Sequence, residues 1–338
     1  AIKKAAVDSC DNISWHPAWG KERMISMISE RNDWCISRQR VWGVPIPIFY
    51  CDDCGADIVT PETIANVAKL FREHGSNIWF DAEAKDLLPQ GFVCPKCGKS
   101  HFTKETDIMD VWFDSGSTWA AVADERENLG YPADLYLEGG DQYRGWFQSS
   151  MLTSIAINGV APYKQIVTHG WTVDGEGKVM HKSLGNAISP DDVLKEYGAD
   201  IFRLWVASAE YTQDMRISPE ILKQLSQAYL KIRNTARYML GNLDGFDPTT
   251  RMAPVDMSDL DRWAVAQLGK LAQTCRAAYN SYDFHIAYRA IYNFCVVEMS
   301  NFYLDIIKDR LYCGDAASRA SAQSALFLIL DGMTRLIA

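Results

Sequence analysis

The stretch LYLEGGDQYRGWFQSSMLTSIAINGVAPYKQIVT, residues 135–168, indicates the fold class of the protein. Apolar runs at 135–137 and 165–168 are strand candidates, and residues 143–157 between them have the periodicity of a helix. A strand, a helix and a strand in this order favour a parallel sheet joined by crossover helices. In sheets of this kind the ligand sites lie at the carboxyl ends of the strands.

The pattern changes on both sides of this stretch. An apolar run at 108–113 is a further strand candidate, whereas the chain after residue 189 is helical in pattern. Ser189 and Ser218 each precede a proline, as a capping residue does at the start of a helix. The predicted later helices are 219–240, one from Ser258, one around 284–309 and one around 316–336. We therefore predict an α/β part followed by an all-α bundle over residues 218–338.

Two cysteine pairs with Cys-x-x-Cys spacing enclose a segment with one helix, which begins at Thr60 and Pro61. The pairs and the glycines that follow them are Cys51, Cys54 and Gly55, and Cys94, Cys97 and Gly98. A glycine after the second cysteine lets the backbone turn its N–H groups toward sulfur. Four such thiolates make a closed, structural zinc site. Four free thiols, two local disulfides, or His101 as a substitute ligand are the alternatives.

Composition excludes several classes of protein. The chain has 338 residues, 48% hydrophobic and 23% charged, which is typical of a globular protein. Basic residues number 34 against 43 acidic ones, so any nucleic acid must be bound by local patches. The apolar runs are too short to span a bilayer and no signal peptide is evident, so we expect a cytoplasmic location and no membrane partner. Nine cysteines, an odd number, argue against a disulfide framework.

A glycine-rich loop with two lysines, DGEGKVMHKSLGN, occupies residues 174–186. Lys178 and Lys182 supply the positive charge that a triphosphate needs, and the glycines allow the loop to open and close. The spacing of a Walker A loop is absent. From the residues alone, a plain polar hairpin is the alternative.

The loop also carries a family resemblance. Its segment MHKSLGN, residues 180–186, resembles the Lys-Met-Ser-Lys-Ser signature of class I aminoacyl-tRNA synthetases. Further segments make the chain similar to the isoleucyl-tRNA synthetases: WCISRQRVWGVPIP at 34–47, DVWFDSGS at 110–117, LEGGDQYRGWF at 137–147 and ADIFRLW at 199–205. A valyl or leucyl relative is the alternative, although these typically differ at the GVPIP and DVWFDSG positions.

The resemblance covers nearly the whole chain and implies the middle of such an enzyme. It implies the second half of a class I synthetase nucleotide-binding, Rossmann-like fold with a zinc-binding insertion, followed by a helical bundle. The implied segments are a return segment at 1–50, the zinc insertion at 51–104, the second Rossmann-like half at 105–177, a signature-loop and stem-contact region at 178–217 and an incomplete anticodon-binding bundle at 218–338. The first signature, His-Ile-Gly-His, and the editing domain have no counterpart here, so we expect the N-terminal half of the same protein as a partner.

The implied reaction is activation of isoleucine by ATP, with Mg²⁺, and transfer of the isoleucyl group to tRNA(Ile). Val179 and His181 replace a Lys and a Ser of the signature, which implies weak activation, with Lys178 restoring part of the charge. A zinc and tRNA-binding module without catalysis is therefore a further alternative for the chain alone.

The resemblance also implies roles for individual residues. Lys182 stabilises the leaving pyrophosphate, Glu138 binds the amino group of the adenylate, and Trp112 and Trp146 wall the isoleucine pocket. The implied adenylate and ATP contacts are Gly139, Asp141, Gln142, His169, Gly170, Met180 and Lys178. The implied tRNA contacts are Arg38, Arg40, Lys231 and Arg233. From the residues alone, the alternative for each of them is a structural role as a core side chain, a member of a local ion pair or a solvated charge.

Overall fold

The computed structural model describes residues 1–338, apart from the side chain of Lys182. The chain divides into two compact units, residues 1–167 and residues 168–338. The helices of the first unit are α1 (Ile2–Ser9), α2 (Gly20–Glu30), α3 (Pro61–His74), α4 (Ile78–Asp81), α5 (Ala84–Leu87), α6 (Val111–Gly116) and α7 (Trp146–Asn158). Its strands are β1 (Ser14–His16), β2 (Ser37–Arg38), β3 (Phe49–Cys51), β4 (Asp57–Ile58), β5 (Phe102–Lys104), β6 (Ile108–Met109), β7 (Tyr136–Gly139) and β8 (Gln165–His169), whose last two residues belong to the second unit.

The sheet predicted from residues 135–168 is present in the first unit. Its strand order is β1, β8, β7, and β1 runs parallel to β8 with Trp15 opposite Ile166. The crossover helix α7 buries Phe147 and Met151 in a core shared with α1 and α2. It starts at Trp146 and not at Tyr143, because residues 140–143 form a 3-10 turn.

The strand predicted at 108–113 is wrong in its second half. β6 ends at Met109, and α6 begins two residues later. Asp110 causes the change, because its carboxylate accepts a hydrogen bond from the N–H of Trp112 (3.1 Å) and caps the helix. The apolar run at 108–113 does not by itself show that a helix cap lies inside it.

The segment between the cysteine pairs has a core of its own. β3 pairs antiparallel with both β4 and β5, and α3 covers the hydrophobic cluster around Phe49 and Trp79. The predicted helix start is confirmed, since Thr60 and Thr63 form a reciprocal capping box and Pro61 stands at the first position. The buried face of the helix carries Thr63 and Val67, while Ile64 is exposed.

The second unit is largely helical. Its strands are β9 (Thr172–Val173) and β10 (Met215–Arg216), which pair in parallel. Its helices are α8 (Pro190–Tyr197), α9 (Ala199–Ser208), α10 (Pro219–Gly241), α11 (Asp259–Asn280), α12 (Phe284–Asn293), α13 (Leu304–Ile306), α14 (Lys308–Tyr312) and α15 (Ala316–Ile337). The helix expected at 284–309 is interrupted, because residues 294–303 form a π-helix. The other predicted later helices are confirmed, and Ser218 caps α10 by accepting from Ile221 N–H.

Two hydrophobic clusters hold this unit together, and α10 contributes to both. Its first part, with Leu222, packs with Trp205, and its later part, with Met239, packs into the bundle that includes Cys275 and Cys295. Both of these cysteines are fully buried, as expected for small core residues. Among the helices that the structure describes, none is both long and apolar enough to cross a membrane.

Candidate active site and metal centre

The four predicted zinc ligands lie together. The sulfur atoms of Cys51, Cys54, Cys94 and Cys97 are all within 4.8 Å of one another. Two of the sulfur–sulfur distances are 3.6 Å and 3.7 Å, close to the roughly 3.8 Å that a tetrahedron with Zn–S bonds of about 2.3 Å requires. All four cysteines are free of disulfides. The glycines after each pair have positive φ values of 68° and 72°, as the predicted turns require.

The chemistry of the four thiols also fits a divalent cation. Burial opposes ionisation of Cys94, yet the backbone N–H groups of Cys97 and Lys96 lower its pKa to about 7. For Cys97, a hydrogen bond from Lys99 N–H is outweighed by burial and by the neighbouring sulfurs, which raise its pKa to about 12. Four thiolates this close therefore need a bound cation to coexist. Among the described side chains, this is the one such cluster of metal-binding type.

The predicted adenylate residues of the first unit lie where β7 ends. Glu138 is exposed in the strand, and Gly139 is buried at its last position. Asp141 follows in the 3-10 turn and accepts a hydrogen bond from the Gln142 amide (3.1 Å). The side-chain oxygen of Gln142, Oε1, accepts a hydrogen bond from the backbone N–H of Trp146 (2.8 Å), so the side chain is held at the start of α7. Polar groups thus meet at the carboxyl end of this strand.

The ring of Trp112 lies against Gly145, the residue that directly precedes Trp146. A Cβ atom at Gly145 would lie 3.1 Å from the Trp112 ring and 2.7 Å from Gln142 Oε1, so this position has little room for a side chain. Trp146 stacks on Tyr136 with ring centroids 4.0 Å apart. Its indole N–H donates to the carbonyl oxygen of Ser115 (2.9 Å), which ties it to the end of α6.

Arg38 is bound within the chain. Its guanidinium forms an ion pair with Asp110 and donates to the carbonyl oxygens of Cys35 (2.7 Å) and Ser37 (2.8 Å). Arg40 is exposed and lines a cavity of about 730 Å³ together with Trp42, Phe80, Trp112 and Asp114, among others. Contact of Arg38 and Arg40 with tRNA stays a prediction.

Asp110 is the buried centre of this region and is 5% exposed. Desolvation would raise its pKa, but hydrogen bonds from the Trp34 indole and the Trp112 N–H, together with the charge of Arg38, hold it below the ordinary value. Asp110 is the first residue of the family motif at 110–117, but the motif alone gives it no role. An Asp directly before a helical run is a capping signal that could have identified it.

In the second unit, His169 ends β8 and its Nδ1 lies 2.7 Å from the carbonyl oxygen of Gly170. Gly170 donates its N–H to Tyr211 O (2.8 Å). A Cβ atom at Gly170 would lie 2.3 Å from the backbone of Gln213, so this position has no room for a side chain. The two residues predicted near the adenine are therefore held by backbone contacts.

The glycine-rich loop at 174–186, which we call the signature loop, is closed by hydrogen bonds of its first and last side chains. Asp174 accepts hydrogen bonds from the N–H groups of Glu176 (3.0 Å) and Lys178 (2.8 Å) through one oxygen, and from the Asn186 amide (2.7 Å) through the other. Asn186 also accepts from His181 N–H (2.9 Å). These contacts, the first of them the Asn186 hydrogen bond, lower the pKa of Asp174. We call this pair the Asp174–Asn186 clasp; no pattern in the sequence predicted it.

The predicted ligand-binding residues of this loop have different surroundings. Met180 is half-buried against the cluster around Trp205. The Lys178 ammonium pairs with Glu176 (2.7 Å) on the surface. The Lys182 side chain, predicted to contact the pyrophosphate, lies outside the described part of the structure.

The predicted tRNA contacts of the bundle lie on α10. The Lys231 ammonium donates to the hydroxyl of Tyr292 (3.1 Å) and lies 5.6 Å from its ring. Arg233 is exposed two positions later, on a different face of the helix. The two residues therefore do not form one continuous basic patch, and their role stays a prediction.

Comparison with protein families gives a match at each end of the chain. Residues 1–218 match the family model of tRNA synthetases class I (I, L, M and V). The chain belongs to the class I tRNA synthetases. Residues 261–338 match the anticodon-binding domain of tRNA ligases, a shorter range than the bundle predicted at 218–338.

This synthetase chain is similar over its whole length to isoleucine–tRNA ligases. It is 55% identical to that of Syntrophotalea carbinolica and 54% identical to that of Caldicellulosiruptor saccharolyticus, covering 100% of this chain and 37% of each relative. The resemblance predicted from the motifs is confirmed. The chain spans about 37% of the length of the curated relatives that it matches.

Solved structures confirm the fold. A LeuRS of Agrobacterium radiobacter K84, in a ternary complex with tRNA and LeuAMS, aligns over 95% of this chain and 42% of its own, with a TM-score of 0.66 and 22% identity. A methionyl-tRNA synthetase of Mycobacterium tuberculosis in complex with methionyl-adenylate aligns over 99% of this chain and 58% of its own, with a TM-score of 0.68 and 20% identity.

Proposed function

We propose that the protein containing this chain is an aminoacyl-tRNA ligase that activates isoleucine with ATP and transfers it to tRNA(Ile). The observation that carries the proposal is the 54–55% identity to isoleucine–tRNA ligases along the entire chain. The tryptophan walls at Gly145, next to the polar carboxyl end of β7, support it, because they offer an apolar surface beside groups that bind a charged adenylate.

Activation needs no nucleophile from the protein. The carboxylate of isoleucine attacks the α-phosphorus in line, the new oxygen–phosphorus bond replaces the bond to pyrophosphate, and Mg²⁺ enters with ATP as part of the substrate. Catalysis is then a matter of positioning and charge stabilisation. We assign the isoleucine ammonium to Glu138 and the ribose hydroxyls to Asp141 and Gln142, since these side chains lie at the strand end.

The family resemblance also assigns nucleotide contacts to residues of the second unit. We assign the adenine to the backbone around His169 and Gly170, with Met180 beside it, since a side chain at Gly170 is excluded. Lys178 and Lys182 neutralise the charge that develops on the leaving pyrophosphate. Zinc at the four cysteines has a structural role, because four thiolates complete its coordination.

Selectivity sets a limit on this site. Isoleucine and valine differ by one methylene, and a hydrophobic pocket separates them by only about 1–3 kcal/mol, a figure established for enzymes of this class. We therefore expect measurable activation of valine by the site. The cytoplasmic location and the tRNA contacts of Arg38, Arg40, Lys231 and Arg233 are part of the same proposal.

Isoleucine-dependent exchange between ATP and pyrophosphate, measured with the protein containing this chain, tests the proposal. We expect exchange with isoleucine, weaker exchange with valine, and loss of at least tenfold in Lys182→Ala. Lys164→Ala is the matched control, because Lys164 pairs with Asp134 on the surface of the other unit. Equal or better exchange with valine or leucine would instead favour a relative of different specificity. A folded, zinc-loaded protein without exchange would favour a binding module.

A further inference from the structure

A connected series of polar contacts leads to the amino-terminal end of α6 in the first unit. Asp110 accepts from the Trp34 indole N–H (3.0 Å), from the guanidinium of Arg38 and from the backbone N–H of Trp112 (3.1 Å). The guanidinium of Arg31 lies over the Trp34 ring, 4.7 Å from the ring centroid. Arg31 also donates a hydrogen bond to the side chain of Gln148 in α7. This series of contacts thus connects α7, through Asp110, to α6.

The other end of α6 is fixed to α7 directly. Trp146 donates its indole N–H to Ser115 O (2.9 Å), and the hydroxyl of Thr153 donates to Gly116 O (2.7 Å). Gly116 lies so close to Ser149 that a Cβ atom there would be 2.9 Å from its backbone. With this end fixed, the contacts of Asp110 decide where the first turn of α6, and with it Trp112, can lie.

We infer that Asp110 is a positioning residue, which sets the separation of Trp112 and Trp146 and thereby the fit of the amino-acid side chain between them. The inference rests on the proposed function, because it takes the two tryptophans as the walls of the isoleucine pocket. Asp110 acts through the backbone of Trp112 and touches no substrate.

The donors around Asp110 make this inference sharply testable. Trp34 and Arg38 both donate to Oδ2, and Trp112 N–H donates to Oδ1. The site needs two acceptor oxygens, but an asparagine amide has only one. Whichever way the amide is turned, its NH2 group faces a hydrogen-bond donor. Asp110→Asn therefore keeps the size of the side chain and breaks the hydrogen-bond pattern.

The test is ATP–pyrophosphate exchange in the full-length protein containing this chain, with KM determined separately for isoleucine and for ATP. We expect Asp110→Asn to raise the KM for isoleucine by about tenfold, and the KM for ATP by less than about twofold, at an unchanged fraction of active sites. Trp34→Phe removes one donor and keeps the ring, so it should raise the isoleucine KM in the same direction by about threefold.

Asp107→Asn is the matched control, since Asp107 lies three residues earlier and accepts only a Gln39 amide, which an asparagine can still satisfy. A folded Asp110→Asn protein with an unchanged isoleucine KM overturns the inference, as does an equal rise in both KM values. If Asp110→Asn does not fold, the isoleucine KM of Trp34→Phe decides. Absence of isoleucine-dependent exchange in the unmodified protein overturns the proposed function, and this inference with it.

Discussion

Asp261 shows at the scale of a single residue how the helical bundle tolerates a buried charge. Its carboxylate is fully buried and accepts from both terminal nitrogens of Arg310 (3.0 and 2.6 Å) and from the hydroxyls of Tyr303 (2.7 Å), Ser258 (2.7 Å) and Ser321 (2.5 Å). Desolvation would raise its pKa, but these donors lower it. Such a group adds little net stability by its presence, whereas loss of a partner leaves an uncompensated charge.

Asp261→Asn should lower the free energy of unfolding by about 3 kcal/mol, because it leaves Arg310 without its carboxylate and sets an amide against donors. Denaturant unfolding followed by circular dichroism measures this change. Asp259→Asn, at an exposed position paired with Arg262, is the control and should stay within about 0.5 kcal/mol. Similar losses in both variants would contradict the prediction.

Asp261 also makes the stability of the folded protein depend on pH. The pKa of Asp261 is lower in the folded protein than in the unfolded chain, so its ionisation stabilises the fold above the ordinary carboxyl pKa of about 4. This stabilisation is lost as the pH falls below about 4, through the folded-state pKa. The difference in melting temperature between the unmodified protein and Asp261→Asn should therefore narrow on acidification from pH 7 to pH 3. A melting-temperature difference that stays constant from pH 7 to pH 3 would exclude the ionisation of Asp261 as its cause.

At the scale of elements, local signals at the ends of segments fix where several helices begin. Thr60 and Ser218 cap α3 and α10 as the sequence predicts. The Asp174–Asn186 clasp acts similarly on a loop, because it satisfies N–H groups inside residues 174–186 and joins the two ends.

Asn186→Ala should release the signature loop, since it removes the hydrogen bonds to Asp174 and from His181 N–H. We expect faster amide hydrogen exchange at Lys178 and His181, with unchanged exchange in α11 and α15, by mass spectrometry of peptides from the intact protein. Ser183→Ala, in the same loop, is the control. Unchanged protection of the loop in Asn186→Ala would show that the clasp does not hold it.

At the scale of the whole molecule, three kinds of core are present. The parallel sheet with α7, the cluster around Trp79 beside the cysteines, and the two clusters of the helical unit are each separate sets of buried residues. The cluster at the cysteines is much smaller than the main cluster of the helical unit, and small cores of this type depend on a metal for stability.

Removal of zinc should therefore unfold the cysteine module before the helical unit. We expect a chelator such as 1,10-phenanthroline to increase protease cleavage within residues 51–104, while the peptides of α11 and α15 stay protected. Cys94→Ser should have the same effect without chelator, and Cys35→Ser, an exposed cysteine outside the cluster, should have none. Cooperative loss of both units on chelation would contradict this prediction.

The sequence by itself determined most of the element types, the capped starts of α3 and α10, the paired cysteines and the family. These features depend on residues within a few positions of one another, where spacing fixes which groups can meet. Only the tertiary structure decided the surroundings of Asp110, whose partners Trp34 and Arg38 lie 76 and 72 positions away, and the contact of Arg31 with Gln148 across 117 positions. The physical reason is that a buried charge takes its partners from whatever elements pack around it, and periodicity does not specify that packing.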